Sequence, residues 1–190
     1  IGVRLVGSEM CIRDSSVVLA QPDHPQYQAG VFGPPITQHE IDRTIEAFSS
    51  GIGMTWDEHG AETCHFQAAM GAGGQKAFLV PVILDSIEAM TERLRAGATV
   101  VDIGCGAGVA ATTVAQAFPN TNVIGMDPSS HAIAAASARA AEAGLDNLSF
   151  RQGTFDDLGE FADVDLLLTL DVIHDLCLLY TSDAADDRCC

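Results

Sequence analysis

The order of apolar and polar positions divides the chain into an irregular beginning, a helical middle and an alternating second half. Residues 16–35 carry four prolines (Pro22, Pro25, Pro34 and Pro35) and little periodicity, which marks a connector. Thr37-Gln38-His39-Glu40 has the form of a capping box, and Ile41, Ile45 and Phe48 follow on one helical stripe. A helix is therefore expected from Thr37 until Gly51 and Gly53 stop it. Residues 54–74 read as loop. A second helix is expected from about residue 76 to 95, with Leu79, Val82, Ile83, Ile87, Met90 and Leu94 on its buried face. Pro81 falls near its start, where a missing N–H costs little, and Gly97 caps its end.

Beyond Gly97 the rhythm changes. Strands are expected over 99–103, 122–126, 148–151 and 164–170, with helices over 109–118 and 129–143. Strands that are apolar throughout are buried on both faces, as in a parallel sheet covered by helices. The expected fold class is α/β: a doubly wound, Rossmann-like parallel sheet, truncated after its fourth strand and preceded by linker helices. The apolar run from Ala98 to Phe118 is long enough to suggest a membrane span, but Asp102 and three glycines interrupt it, and strand–turn–helix fits better.

Composition narrows the function. With 47% apolar residues the chain can bury a core, so wholesale disorder is excluded. A net charge of −17, with only nine Lys and Arg, leaves no basic patch for a nucleic acid or an anionic membrane surface. A small molecule, a cation or another protein is the expected partner.

The two ends resemble translated sequencing adapter. Met10-Cys11-Ile12-Arg13-Asp14 can be written as DNA whose reverse complement encodes Cys177-Leu178-Leu179-Tyr180-Thr181. The expected organisation is an adapter-like stretch over 1–15, a connector and helical linker over 16–96, a partial domain over 97–176 and an adapter-like stretch over 177–190. Without those ends the chain is still strongly acidic. Cys64 and Cys105 are the cysteines left, as a reducing cytoplasm allows.

The chemistry concentrates in residues 100–110. A strand ends in Gly104-Cys105-Gly106-Ala107-Gly108 and a helix opens at once. Glycines there permit a tight turn and let a ligand lie against bare backbone. Asp102 stands two residues before the first glycine, and Asp127 closes the next strand, where a carboxylate can accept the hydroxyls of a ribose. The spacing is G-x-G-x-G, and Val109 sits where the last glycine of a pyrophosphate-cradling loop would stand. The fit to a dinucleotide is loosened accordingly.

D-x-G-x-G-x-G after a strand, with Ile124-Gly125-Met126-Asp127-Pro128-Ser129 beyond it, resembles the class I S-adenosylmethionine-dependent methyltransferases over about residues 97–176. The resemblance implies S-adenosyl-L-methionine as cofactor and a small-molecule methyl acceptor with an O, N or C nucleophile. It implies that backbone around Gly104, Cys105, Gly106 and Gly108 receives the methionine moiety, that Asp102 lies near its ammonium, and that Asp127 takes the ribose hydroxyls. Pro128 would pack near the adenine. The family's acid after the third strand is replaced by Thr154, so that either its hydroxyl serves or Asp156 reaches back, with Phe155 as an apolar wall. The phrase Asp171-Val172-Ile173-His174-Asp175 resembles a subgroup with a preceding winged-helix region, whose linker helices would roof the cofactor. Asp171 and His174 are the catalytic candidates, His174 as general base. A homodimer through the N-terminal region is carried as an expectation.

Plainer readings stand beside these. The glycine turn serves any tight α/β connection, Asp127 serves as a helix cap before Pro128, and His174 serves as an exposed histidine. Cys105 reads as a small packing residue and Trp56 as core. Glu58, His59, Cys64 and His65 match no standard metal spacing, so no metal site is expected. The alternatives are an NAD-dependent oxidoreductase using the same Asp127, and a non-catalytic cofactor-binding fragment that lacks strands five to seven.

Overall fold

A computed structural model of the chain describes residues 15–21, 24–27, 32–33, 36–161 and 163–175. The adapter-like ends fall outside the described residues, residue 15 excepted. Four parallel strands form the centre: β1 (Thr99–Ile103), β2 (Asn122–Asp127), β3 (Leu148–Gln152) and β4 (Leu166–Leu168). Their order is β3-β2-β1-β4, so the winding reverses beside β1. In such sheets the crevice for a ligand lies at the carboxyl ends of the strands, at the reversal. The expected α/β class and doubly wound order are those observed. β4 is shorter than the apolar run over 164–170 suggests, because only Leu166–Leu168 pair with Val100–Asp102.

Ahead of the sheet, residues 15–20 are helical, within the stretch whose prolines mark a connector. Helix α1 (Gln38–Ser50) starts as expected: Thr37 Oγ1 accepts the Glu40 N–H at 3.2 Å and the Glu40 carboxylate accepts the Thr37 N–H at 2.6 Å. Gly51 ends it in the left-handed region. The stripe of Ile41, Ile45 and Phe48 lies exposed, Phe48 at 88%.

The segment over 54–74 is not a loop. A 3-10 turn (Trp56–His59) leads into helix α2 (Gly60–Phe78), which continues as a π-helical stretch (Leu79–Leu84). Gly71, Gly73 and Gly74 hide this helix from any reading of periodicity. Gly73 is there for close approach, since a Cβ would lie 3.1 Å from the carbonyl oxygen of His24. Nor is 76–95 one helix. Pro81 lies inside the π stretch, where the Asp85 N–H reaches back to the Val80 carbonyl, and Ala89, at φ 58, breaks the chain before α3 (Met90–Ala96). A π turn adds a residue and shifts the phase. Leu79, Leu84 and Leu94 therefore point inward while Val82, Ile83 and Ile87 are exposed.

Helices α4 (Val109–Ala117) and α5 (Ser130–Ala143) complete the α/β units. Leu79, Leu84, Leu94, Val100, Val114 and Phe118 share one core cluster; Val101, Ile103 and Met126 form the other across the sheet. Polar side chains pin the strand entrances. Thr121 Oγ1 donates to the Leu94 carbonyl at 2.6 Å, and Asn147 Nδ2 lies within 3.2 Å of the Ala115, Phe118 and Thr121 carbonyls. Asp165 accepts the Thr99 N–H at 2.8 Å and pairs with Arg93. These bonds fix the lower ends of the strands, so that the loops at the upper ends converge on one crevice.

Candidate functional site

The crevice is built on the turn between β1 and α4. Gly104, Gly106 and Gly108 have φ of 67, 53 and 74, a region that side chains with a Cβ seldom adopt. The Cys105 N–H donates to the Met126 carbonyl at 3.0 Å, which draws the turn over the tip of β2. Each glycine serves differently. A Cβ on Gly104 would meet Val172 Cγ2 at 2.3 Å, and one on Gly108 would meet Phe150 Cζ at 2.6 Å. A Cβ on Gly106 would meet nothing within 4 Å, so bare backbone faces open space there.

Asp127, at the end of β2, is buried and holds the turn. Its Oδ2 accepts the Gly106 N–H at 2.9 Å and its Oδ1 accepts the Ser129 N–H at 2.9 Å. Burial raises its carboxyl above the usual range; the two N–H donors oppose that shift and the charge of Asp57 adds to it. Asp102 is 1% exposed, and its Oδ2 has no donor. Burial pushes this carboxyl up to about 7, against a hydrogen bond from the Ala111 backbone, with the Asp127 charge adding to the rise. Burial likewise pushes the Cys105 thiol up, which suits the packing reading better than a nucleophile.

In the turn after β3, Asp157 Oδ2 accepts the Thr154 N–H at 2.7 Å and the Thr154 hydroxyl at 3.4 Å. This is a capping box on the 3-10 turn (Phe155–Glu160), and it leaves Asp156 exposed. Phe155 is exposed at 37%. Gln152 Nε2 donates to the Pro128 carbonyl at 2.7 Å, joining this turn to the residue after Asp127. After β4, Val172 packs on Gly104, while Asp171 and His174 meet through Oδ1 and Nδ1 at 3.5 Å with both side chains mostly in solvent. Asp171, at φ 59, precedes the 3-10 turn (Ile173–Asp175) that carries His174.

Two contributors escape sequence reasoning. Arg139 Nε donates to the Ala107 carbonyl at 2.8 Å and braces the glycine turn from α5. Asp57, in the polar run read as loop, accepts Ser129 Oγ at 2.7 Å, the Ser130 N–H at 2.8 Å and Ser130 Oγ at 2.9 Å. Only a residue contact across the fold exposes either. Trp56 beside it is 46% exposed rather than core, and its ring lies 5.6 Å from that of His59. Glu58 bonds to Thr55 and Arg43, and among the described residues no group of three or more His, Cys, Asp or Glu is placed to hold a metal ion. Among the same residues no helix is long and apolar enough to cross a membrane.

A family model described as a methyltransferase domain matches residues 94–190. Trans-aconitate 2-methyltransferase of Deinococcus radiodurans is 40% identical over 67 residues, which are 35% of this chain and 24% of that protein. The chain thus spans about a quarter of the length of that curated relative. A candidate S-adenosyl-L-methionine-dependent methyltransferase of Methanococcus maripaludis superposes with a TM-score of 0.53 at 20% identity, over 65% of this chain and 54% of its own, a likeness of fold. Rickettsia typhi PKMT2, solved in complex with AdoHcy, is 28% identical over 40% of this chain and 15% of its own, with a TM-score of 0.38, a partial overlap only.

Proposed function

Because the chain belongs to the methyltransferase-domain family, we propose that it carries the cofactor seat of an enzyme that methylates an O, N or C nucleophile of a small molecule. Its cofactor is S-adenosyl-L-methionine, which when bound supplies an electrophilic methyl group on a sulfonium. The observation that carries the reading is the enclosed Asp102 Oδ2 without a donor, two residues before a turn whose Gly106 faces open space. An orphaned buried acceptor beside bare backbone fits a ligand that brings an ammonium group.

The residues divide the work. Backbone around Gly104, Cys105, Gly106 and Gly108 receives the amino-acid end, and Asp102 takes its ammonium. Asp127 takes the ribose hydroxyls without giving up the turn, since each carboxylate oxygen accepts more than one hydrogen bond. Pro128 and Phe155 flank the adenine, with Thr154 at its amine. Alignment is the main demand on the protein, because positioning alone is worth ~7–11 kcal/mol in well-oriented reactions. Asp171 Oδ1, 3.5 Å from Nδ1, orients the His174 imidazole, which takes the proton of a hydroxyl acceptor.

Calorimetry with S-adenosylhomocysteine and NAD tests the reading. Saturable binding of the first and none of the second is expected, whereas tight NAD binding with no response to S-adenosylhomocysteine overturns it in favour of an oxidoreductase.

A further inference from the structure

We infer that Asp57 is a positioning residue of the cofactor seat: its carboxylate fastens the segment from Trp56 to Phe78 across the nucleoside end, at Ser129 and Ser130. The inference rests on the proposed function for its ligand and on geometry for its mechanism. Ser129 Oγ already accepts the Ala132 N–H at 3.3 Å, so α5 has its own cap. A further carboxylate with three bonds is more than that helix end requires. What Asp57 adds is a tie between residues more than 70 positions apart.

Further bonds hold the Asp57 end of the tie. Asp57 sits inside the Trp56–His59 turn, where Glu58 bonds to Thr55 at 2.8 Å and pairs with Arg43 of α1. Ser129 and Ser130 directly follow Asp127 and Pro128, the residues assigned to ribose and adenine. Helix α2, which begins at the end of the turn, packs against α4 and α5. Its Cys64 lies close enough to Asp127 to feel the carboxylate's charge, which helps raise the thiol after burial does. The donors on Asp57, Ser129 first, hold its own carboxyl below the usual range, so the tie is ionised at neutral pH. Releasing Asp57 would leave the β2 tip and the glycine turn intact but would free the segment lying over them.

The experiment compares the full chain with D57A, D57N and S130A. Trp56 is the only tryptophan, so its emission reports on the segment directly. Without ligand, D57A is expected to red-shift that emission and to speed hydrogen exchange over residues 56–78. With S-adenosylhomocysteine, D57A is expected to raise the Kd about tenfold and to lose the emission change that the unmodified chain shows, a loss in the range of a helix-end carboxylate. D57N keeps an Oδ1 acceptor for Ser129 and Ser130 and should stay within about threefold, and S130A, which removes one bond, should do the same. Unmodified Kd and Trp56 response in D57A overturn the inference. So does loss of far-UV dichroism in both D57A and D57N, which would leave Asp57 a folding role alone. If the unmodified chain ignores S-adenosylhomocysteine, the functional reading fails, and the ligand-free shift of Trp56 still decides the tie.

Discussion

The Asp127 carboxylate and the Gly106 N–H meet at 2.9 Å, so the tip of β2 holds the middle of the glycine turn. The bond couples the proposed ribose acceptor to the backbone proposed for the amino-acid end. Neither half of the seat is independent of the other.

Replacing Asp127 with alanine therefore removes the ribose acceptor and releases two N–H groups at once. Hydrogen bonds to a charged group contribute ~1.5–3 kcal/mol each. S-adenosylhomocysteine affinity should fall by at least about tenfold, measured by calorimetry. Asparagine, which keeps one acceptor, should fall less. Unchanged affinity in Asp127→Ala would refute the seat.

Gly106 and Gly104 separate binding from folding. Alanine at Gly106 meets no neighbour, so the left-handed backbone is the main cost, ~1–2 kcal/mol, while its methyl occupies the space where ligand backbone contact is proposed. Alanine at Gly104 also brings its Cβ within 2.3 Å of Val172 Cγ2 and should cost about 2–4 kcal/mol. Thermal melts should show the larger loss for Gly104→Ala, partly recovered by adding Val172→Ala. Calorimetry should show the larger affinity loss per degree of melting shift for Gly106→Ala.

His174 is tested by a split between binding and turnover. In a full-length parent acting on a hydroxyl acceptor, His174→Gln should lower methyl transfer by about 10²–10⁴ and leave the cofactor Kd unchanged. Asp171→Asn keeps a hydrogen-bond acceptor near Nδ1 and should cost less. Equal rates for His174→Gln and the unmodified enzyme would return His174 to an ordinary exposed residue.

The sheet and the glycine turn were legible because their signals are local. Val100 and Val101 are both fully buried on opposite faces of β1, which is what an unbroken apolar run means in a parallel sheet. Asp102 and Asp127 stand at fixed places relative to strand ends. The helical region misled because its packing is not periodic: the glycines of α2 admit neighbouring backbone, and the π stretch around Pro81 moves Val82 and Ile83 off the buried face. Asp57 was illegible for another reason. Its partners follow β2, and a solvated charge run and an interhelical tie look alike until the chain is folded.

Asp102 makes stability and binding depend on pH in opposite senses. Its carboxyl titrates near 3.8 when exposed and at about 7 when folded, because burial disfavours the charge. The folded state thus holds a proton that the unfolded state has lost between those values, and stability falls as pH rises from about 4 to about 7, by up to ~1.4 kcal/mol per unit. A ligand ammonium reverses the balance by favouring the ionised form. The unmodified chain should therefore bind S-adenosylhomocysteine more tightly at pH 8 than at pH 6, even as its ligand-free melting temperature falls. Asp102→Asn should flatten both trends, raising the ligand-free melting temperature at pH 8 and leaving weak, nearly pH-independent binding. Asp127 titrates in both proteins and is coupled to Asp102 through its charge, so the difference between them reports Asp102 together with that coupling. Identical pH slopes for Asp102→Asn and the unmodified chain would show that the buried carboxyl neither strains the fold nor meets the ligand's charge.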